Sequence, residues 1–338
     1  MNKVFNKNIQ QYGAQSLLNN TEILFKALKG TTKRQNIEDI HDIRVASRRI
    51  RERLLVFEPY FPDKKNLGWL KTIKFITKTY GNTRDLDVQI QFLQEFYASI
   101  EENSIRPGIR RLLLRLTQRR KRLQEKIRVK TDKIINNSTL SEMITSLKSL
   151  AKKPSSKESY SQALFQLSFD TIHSRLDDFL FYEVFLFHPE KIKELHLMRI
   201  AAKKLRYSME IFAPLYKGNL EPLLGIIRNI QQTLGNIRDC DVWITSMPIF
   251  MKKEKLFTIN YYGYVRPFSR LLPGFQYLID NREKQRNKLY NSFIEQWSNW
   301  RAQRIWLNLR EFILEATLQT TSKSPNLNNN NLKNLSKK

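Results

Sequence analysis

One motif written twice constrains this chain more than anything else in it. His41-Asp42-Ile43-Arg44-Val45-Ala46-Ser47-Arg48-Arg49-Ile50-Arg51 returns 155 residues later as His196-Leu197-Met198-Arg199-Ile200-Ala201-Ala202-Lys203-Lys204-Leu205-Arg206. A second block follows in the same order. Gly81-Asn82-Thr83-Arg84-Asp85-Leu86-Asp87-Val88 matches Gly235-Asn236-Ile237-Arg238-Asp239-Cys240-Asp241-Val242 at an offset of 154. Two blocks, in order and almost equally spaced, point to internal duplication. A duplicated chain must fold each copy by the same local rules, so the fold reduces to one unit used twice.

That unit is helical. Apolar residues recur at spacings of three and four, with no sustained alternation at period two. Gly and Pro number 10 and 11 in 338 residues, too few to punctuate many short strands. Helices are expected at about 4–28, 37–58, 64–98 and 106–135 in the first half. In the second they are expected at about 158–187, 190–213, 217–246 and 268–297, with a shorter one near 299–317. Residues 136–159 read as a polar joint. The expected division is a first four-helix half over 1–155, a second over 156–320, and a disordered Asn-, Ser- and Lys-rich tail over 321–338.

Placed on a helix at about 100° per residue, His41, Arg44, Arg48 and Arg51 fall within roughly 80° of one another. Ile43, Ala46, Ile50, Leu54 and Phe57 take the opposite side. His196, Arg199, Lys203 and Arg206 repeat the polar row, and Met198, Ala201, Leu205, Met209 and Phe212 the apolar one. Pro59 and Pro214 end the two helices. A row of like charges one turn apart weakens a helix slightly, and no acid is interspersed to relieve it. Such a row suits the successive phosphates of a flexible anionic chain, Arg offering a planar fork and Lys a point charge. The histidines fit the same role, as hydrogen-bond donors to phosphate that gain charge at lower pH.

The whole composition agrees. Lys and Arg number 59 against 32 Asp and Glu, a formal net charge of +27. That surplus calls for a polyanionic partner. Further candidate anion contacts are Lys74 and its counterpart Arg228 on the third helices. Arg115, Arg119 and Arg122 join them on the crowded fourth helix, with Arg282 and Arg286 as a thinner set opposite. Asp85, Asp87, Asp239 and Asp241 are expected to brace neighbouring arginines from behind rather than to act as acids or hold a metal. The 20 Phe and 13 Tyr sit in apolar stripes and do not interleave with the cations as base-stacking platforms would.

The paired motifs, His-x-x-Arg-x-x-x-Arg/Lys-Arg/Lys-x-Arg and Gly-Asn-x-Arg-Asp-x-Asp, resemble those of the CHAD family (conserved histidine α-helical domain), over roughly residues 5–310. The resemblance implies an all-α fold of two pseudo-symmetric antiparallel four-helix bundles around a basic central groove or pore. It also implies binding of inorganic polyphosphate and, in some members, association with polyphosphate granules. Carried over position by position, the implied ligands are His41, Arg44, Arg48, Arg49 and Arg51 with His196, Arg199, Lys203, Lys204 and Arg206. The copies differ at Asp42/Leu197 and Glu52/Tyr207, so they are not equivalent. Some relatives carry a triphosphate-processing CYTH domain with a Glu-x-Glu-x-Lys hallmark. No Glu-x-Glu occurs in this chain, which argues against that activity.

The expectation is therefore a polyphosphate-binding protein that is not an enzyme and needs no cofactor or metal. The alternatives are an RNA-binding module, a condensed-phosphate-processing enzyme, and a protein of anionic membrane surfaces. The lone Cys240 excludes a disulfide framework within the chain. No apolar run reaches the ~20 residues of a spanning helix, and the first residues lack a secretory core. A cytoplasmic location, with polyphosphate granules as its extension, is the matching expectation.

Overall fold

The computed structural model describes residues 6–33, 37–61, 63–151 and 160–319. The division expected at 155/156 and the tail from 321 lie outside the described residues. Within them the chain is all-α, with no strand. The first half comprises α1 (Lys7–Lys33), α2 (Ile37–Val56), α3 (Asp63–Ala98), α4 (Arg106–Ile135) and α5 (Thr139–Leu150). The second comprises α6 (Gln162–Leu180), α7 (Ile192–Phe212), α8 (Glu221–Tyr262), the single turn α9 (Arg266–Ser269), α10 (Leu272–Ala302) and α11 (Ile305–Gln319). Sequential helices pack on one another: α1 on α2, α2 on α3, α3 on α4, then α6 on α7, α7 on α8 and α8 on α10. The halves meet where α2 packs on α7, α4 on α10 and α1 on α6.

The motif helices bury the residues that periodicity assigns to their inner faces. Ile43, Ala46, Ile50 and Leu54 of α2 and Phe57 just past its end are inaccessible or nearly so, as are Met198, Ala201, Leu205, Met209 and Phe212 of α7. Burying one such aliphatic or aromatic side chain is worth about 1.5–3 kcal/mol, so these two faces fix how α2 and α7 sit. Glu38 and Asp39 in the first turn of α2 favour its N-terminus. A continuous core runs through both halves, from Ile9 and Leu17 to Trp297 and Ile313. At its centre the repeat-equivalent Phe57 and Phe212 meet edge to face with ring centroids 6.2 Å apart. Tyr12 lies against both rings and donates its hydroxyl to the Ile211 carbonyl at 2.6 Å.

Two expectations on element boundaries are corrected. The joint read over 136–159 contains α5. Leu140, Met143 and Leu147 are spaced three and four apart and bury against α1, while Asn137 Oδ1 accepts the Thr139 N–H at 2.8 Å and starts the helix. The third helix of the second half does not stop near 246 but runs to Tyr262, passing through Pro248. Proline removes one helical hydrogen bond; the packing of Trp243, Met247 and Glu254 outweighs that loss.

A second, smaller core joins the far ends of α3, α4, α8 and α10 through Leu93, Ile109, Leu112, Trp243, Met247, Phe275 and Leu278. It depends on two glycines. A methyl group added at Gly108 of α4 would come within 2.9 Å of Gly274 Cα and collide with the Leu271 carbonyl. One added at Gly274 would come equally close to Gly108 Cα and collide with the Ile105 carbonyl. The obstacles are backbone, which cannot rotate aside. Gly108→Ala is expected to lower stability by about 1–3 kcal/mol, the range for overpacking, with the loss read from the urea midpoint. An unchanged midpoint would mean that α4 and α10 separate without penalty.

Candidate anion-binding site

The cationic row of α2 and that of α7 come together where these two helices pack. Arg48 and Lys203 occupy the same position of the repeat, and each lies within the electrostatic reach of the other's cluster. Burial holds the Lys203 ammonium down to about 8, and Arg48, Arg199, Arg51 and Arg44 push it the same way. Arg48 is lowered by burial and then by Arg44, with Tyr207 and Asp85 opposing. His196 is lowered by burial, then by Arg238, Arg199 and Lys203. Burial is the first cause in all three groups, and the neighbouring cations deepen it.

Acids stand behind the cluster without neutralising it. Asp85 pairs with Arg44 at 2.8 Å, and Arg44 also donates to the Gly81 carbonyl. Asp239, the repeat counterpart of Asp85, is raised by burial and also by Asp85, while Arg199 and Arg238 oppose the shift. The remaining two aspartates reach outward to α4 and α10. Asp87 accepts from Arg120 of α4 at 2.6 Å, and Asp241 accepts from Arg286 of α10 at 2.6 Å. Three buried donor-type atoms of α7 have no hydrogen-bond partner among the described residues: Nδ1 of His196, Nε of Arg199 and Nε of Arg206. Unsatisfied buried polar atoms are costly, and here they sit on three of the four residues of one cationic row.

The candidate residues separate into groups by surroundings. Arg44, Arg48, Arg51, His196, Arg199 and Lys203 belong to the cluster. Arg49 and Arg206 lean on Glu210 at 3.7 and 3.6 Å, and Arg51 also meets Glu52 at 2.9 Å. Lys204 is half-buried and His41 exposed. Lys74, Arg119 and Arg122 are exposed, and Arg228 is exposed beside Glu221. Arg115 is held by the buried Glu254 at 2.8 Å. Arg282 lies over the Phe92 ring at 4.6 Å. Arg286 is buried against Asp241 and donates to the Pro189 carbonyl at 2.6 Å. The last three are engaged with protein groups.

Periodicity alone did not single out Arg238, Glu210 or Arg53. Arg238 belongs to the second repeated block, a signal that was present, and it stands beside His196 and Asp239. Glu210 bridges α2 and α7, and its counterpart in the first copy is Leu55. Arg53 is buried and donates to Ser16 Oγ at 2.8 Å, with burial and then Arg49 lowering it to about 10. Neither of these two could be found from a repeat, because neither is repeated.

The described residues form an all-helical domain with two paired cationic motif helices, and the comparisons make that class specific. The CHAD domain model matches residues 16–247, and the chain belongs to that family. The CHAD domain from the plant Ricinus communis is similar in structure, with a TM-score of 0.50 and 17% identity over 83% of this chain and 87% of that one. PptA from Streptomyces chartreusis is similar with a TM-score of 0.58 and 14% identity, over 86% of this chain and 99% of that one. At these identities the likeness is one of fold. No curated protein matches the chain in sequence. No helix among the described residues is long and apolar enough to cross a membrane.

Proposed function

We propose that the chain binds inorganic polyphosphate across the paired cationic rows of α2 and α7, and that it does so as a binding protein rather than an enzyme. The observation that carries this reading is the meeting of repeat-equivalent cations, Arg48 with Lys203 and Arg44 with Arg199, in one cluster where the buried Nδ1 of His196 and Nε of Arg199 have no hydrogen-bond partner among the described residues. Membership of the CHAD family, associated with polyphosphate-type ligands, supports it. The Phe57–Phe212 contact joins equivalent residues of the two copies and supports a pseudo-two-fold arrangement, with the cationic rows facing a shared basic groove. Such a site meets a chain of identical phosphates from both sides. Asp85, Asp87 and Asp241 are engaged with arginines, which supports bracing over acid–base chemistry. A protein of this kind would reside where polyphosphate accumulates, in the cytoplasm and on granules.

Titration calorimetry with long-chain polyphosphate tests the reading, with single-stranded RNA of matched charge as competitor. Affinity should fall steeply with salt as condensed counterions are released, and RNA should not displace polyphosphate. Equal displacement by RNA would leave only a general polyanion binder.

The Lys203 shift adds a proton signature. A bound anion favours the charged lysine and raises its pKa above the value of about 8 in the free chain. Between the free and bound values, binding must take up a proton, so affinity falls as pH rises through that window. At a pH about one unit above the free value, the uptake is expected to approach one proton per chain. It is read as a dependence of the measured heat on the buffer's ionisation enthalpy. Lys203→Arg should abolish the uptake while keeping most of the affinity.

A further inference from the structure

The far end of α8 carries a surface that the cationic rows do not explain. Measured along the helix, Tyr261 lies about 33 Å beyond Asp239, at 1.5 Å per residue. It also lies past the residues matched to the family, which end at 247. Gly263, in the left-handed region at φ 77°, ends the helix and turns the chain into Tyr264 and Val265. Tyr261 is 81% exposed, and Ile249, Leu256, Phe257, Tyr262 and Tyr264 are exposed beside it. At about 100° per residue, Ile249, Leu256, Phe257 and Tyr261 fall within roughly 140° on one side of α8. The tyrosines form a contiguous group at the tip, with centroids of Tyr261 and Tyr262 4.8 Å apart and those of Tyr262 and Tyr264 6.3 Å apart.

The charges around this apolar side are all of one sign. Lys252, Lys253, Lys255, Arg266 and Arg270 are exposed through the same stretch. The only acid between Val242 and Ile279 is Glu254. It is 2% exposed and tied to Arg111 and Arg115 at 2.8 Å each. The tip therefore presents exposed aliphatic and aromatic side chains with Lys253 among them and the other four cations around them, and the stretch carries no exposed acid.

We propose that the α8 tip docks on an anionic lipid surface. Tyrosine, with an apolar ring and a polar end, suits the boundary between headgroups and acyl chains. Lys and Arg at that boundary gain from anionic headgroups. A helix end that mixes exposed aliphatic, aromatic and cationic side chains rests in the interface without spanning it, the long Lys253 stem carrying its charge up to the headgroups. Single-stranded RNA would use the aromatic rings and the cations, but it has no use for the exposed aliphatic side chains of Ile249 and Leu256. An acidic protein partner would pair with the cations, but it would not carry the exposed rings into acyl chains, which the quenching below separates. The lipid surface uses the aliphatic residues, the rings and the charges together.

The experiment is sedimentation with vesicles of phosphatidylcholine containing phosphatidylglycerol, beside vesicles of phosphatidylcholine alone, at near-physiological salt. Wild type should partition to the anionic vesicles. Phe257→Ser/Tyr261→Ser/Tyr264→Ser should partition at least ~tenfold less, since three rings no longer leave water, while its thermal unfolding shifts only slightly, Phe257 giving up its contact with the Arg115 guanidinium 5.3 Å from the ring. A Tyr261→Trp variant should be quenched by lipids brominated on their acyl chains. Arg48→Ala/Lys203→Ala should retain that quenching, which separates this surface from the phosphate site. Equal partition of the triple variant and wild type would overturn the proposal, as diffuse charge would then suffice. So would absence of quenching, or a triple variant that loses RNA binding and keeps its vesicle binding.

Discussion

Alanine at both Arg48 and Lys203 is expected to weaken long-chain polyphosphate binding by at least about a hundredfold, taking about 1.5–3 kcal/mol for each charge-assisted hydrogen bond removed. The choice of pair matters. Arg44 is tied to Asp85 and the Gly81 carbonyl, so its removal would release an acid into the cluster and confuse two effects. Neither Arg48 nor Lys203 has an acid in direct contact among the described residues, and both are depressed by burial and by neighbouring cations. Each destabilises the free chain electrostatically, so the thermal midpoint should hold or rise as affinity falls. That opposition is the signature of cations placed for a ligand. A structural role would lower both quantities together. Arg119→Ala/Arg122→Ala removes the same charge from exposed positions on α4 and should reduce affinity only a few-fold. Equal losses from the two pairs would mean that net charge, not the α2–α7 cluster, holds the anion.

The cluster was legible in the sequence because a repeat and a helical period act on the same residues. Once His41 to Arg51 and His196 to Arg206 are placed on helices, burial of Ile50 and Leu205 leaves Arg48 and Lys203 no side to take but the polar one. What periodicity cannot supply is the neighbour that each polar face meets. In sequence Arg115 groups with Arg119 and Arg122, and Arg282 with Arg286, yet Glu254 claims Arg115 and the rings of Phe92 and Phe96 claim Arg282. Those partners come from α8 and α3, far away along the chain, and no local rule selects them. The extension of α8 past Pro248 was illegible for a related reason, because it rests on packing in the second core. The close approach at Gly108 and Gly274 was equally hidden, since a glycine inside a helical pattern looks the same whether it faces water or another backbone.

The two outward aspartates give the sharpest test of scaffold against site. Asp241→Ala is expected to cost about 3–5 kcal/mol, the penalty for stranding one member of a buried ion pair. The Asp241 side chain is 2% exposed and that of Arg286 10%. Arg286 keeps only the Pro189 carbonyl when the carboxylate goes, and a carbonyl does not neutralise it. Asp87→Ala removes the counterpart in the first copy and should cost less, about 1.5–3 kcal/mol, because Arg120 retains Gln124. Urea unfolding measures both. The double variant Asp241→Leu/Arg286→Met removes charge and partner at once, and apolar replacements of buried pairs are often neutral or stabilising. Stability should therefore return in the double variant, and polyphosphate affinity should match wild type, since the two charges cancel in the folded chain. If affinity instead drops with stability restored, Arg286 touches the anion directly, and the phosphate path extends from α7 across to α10.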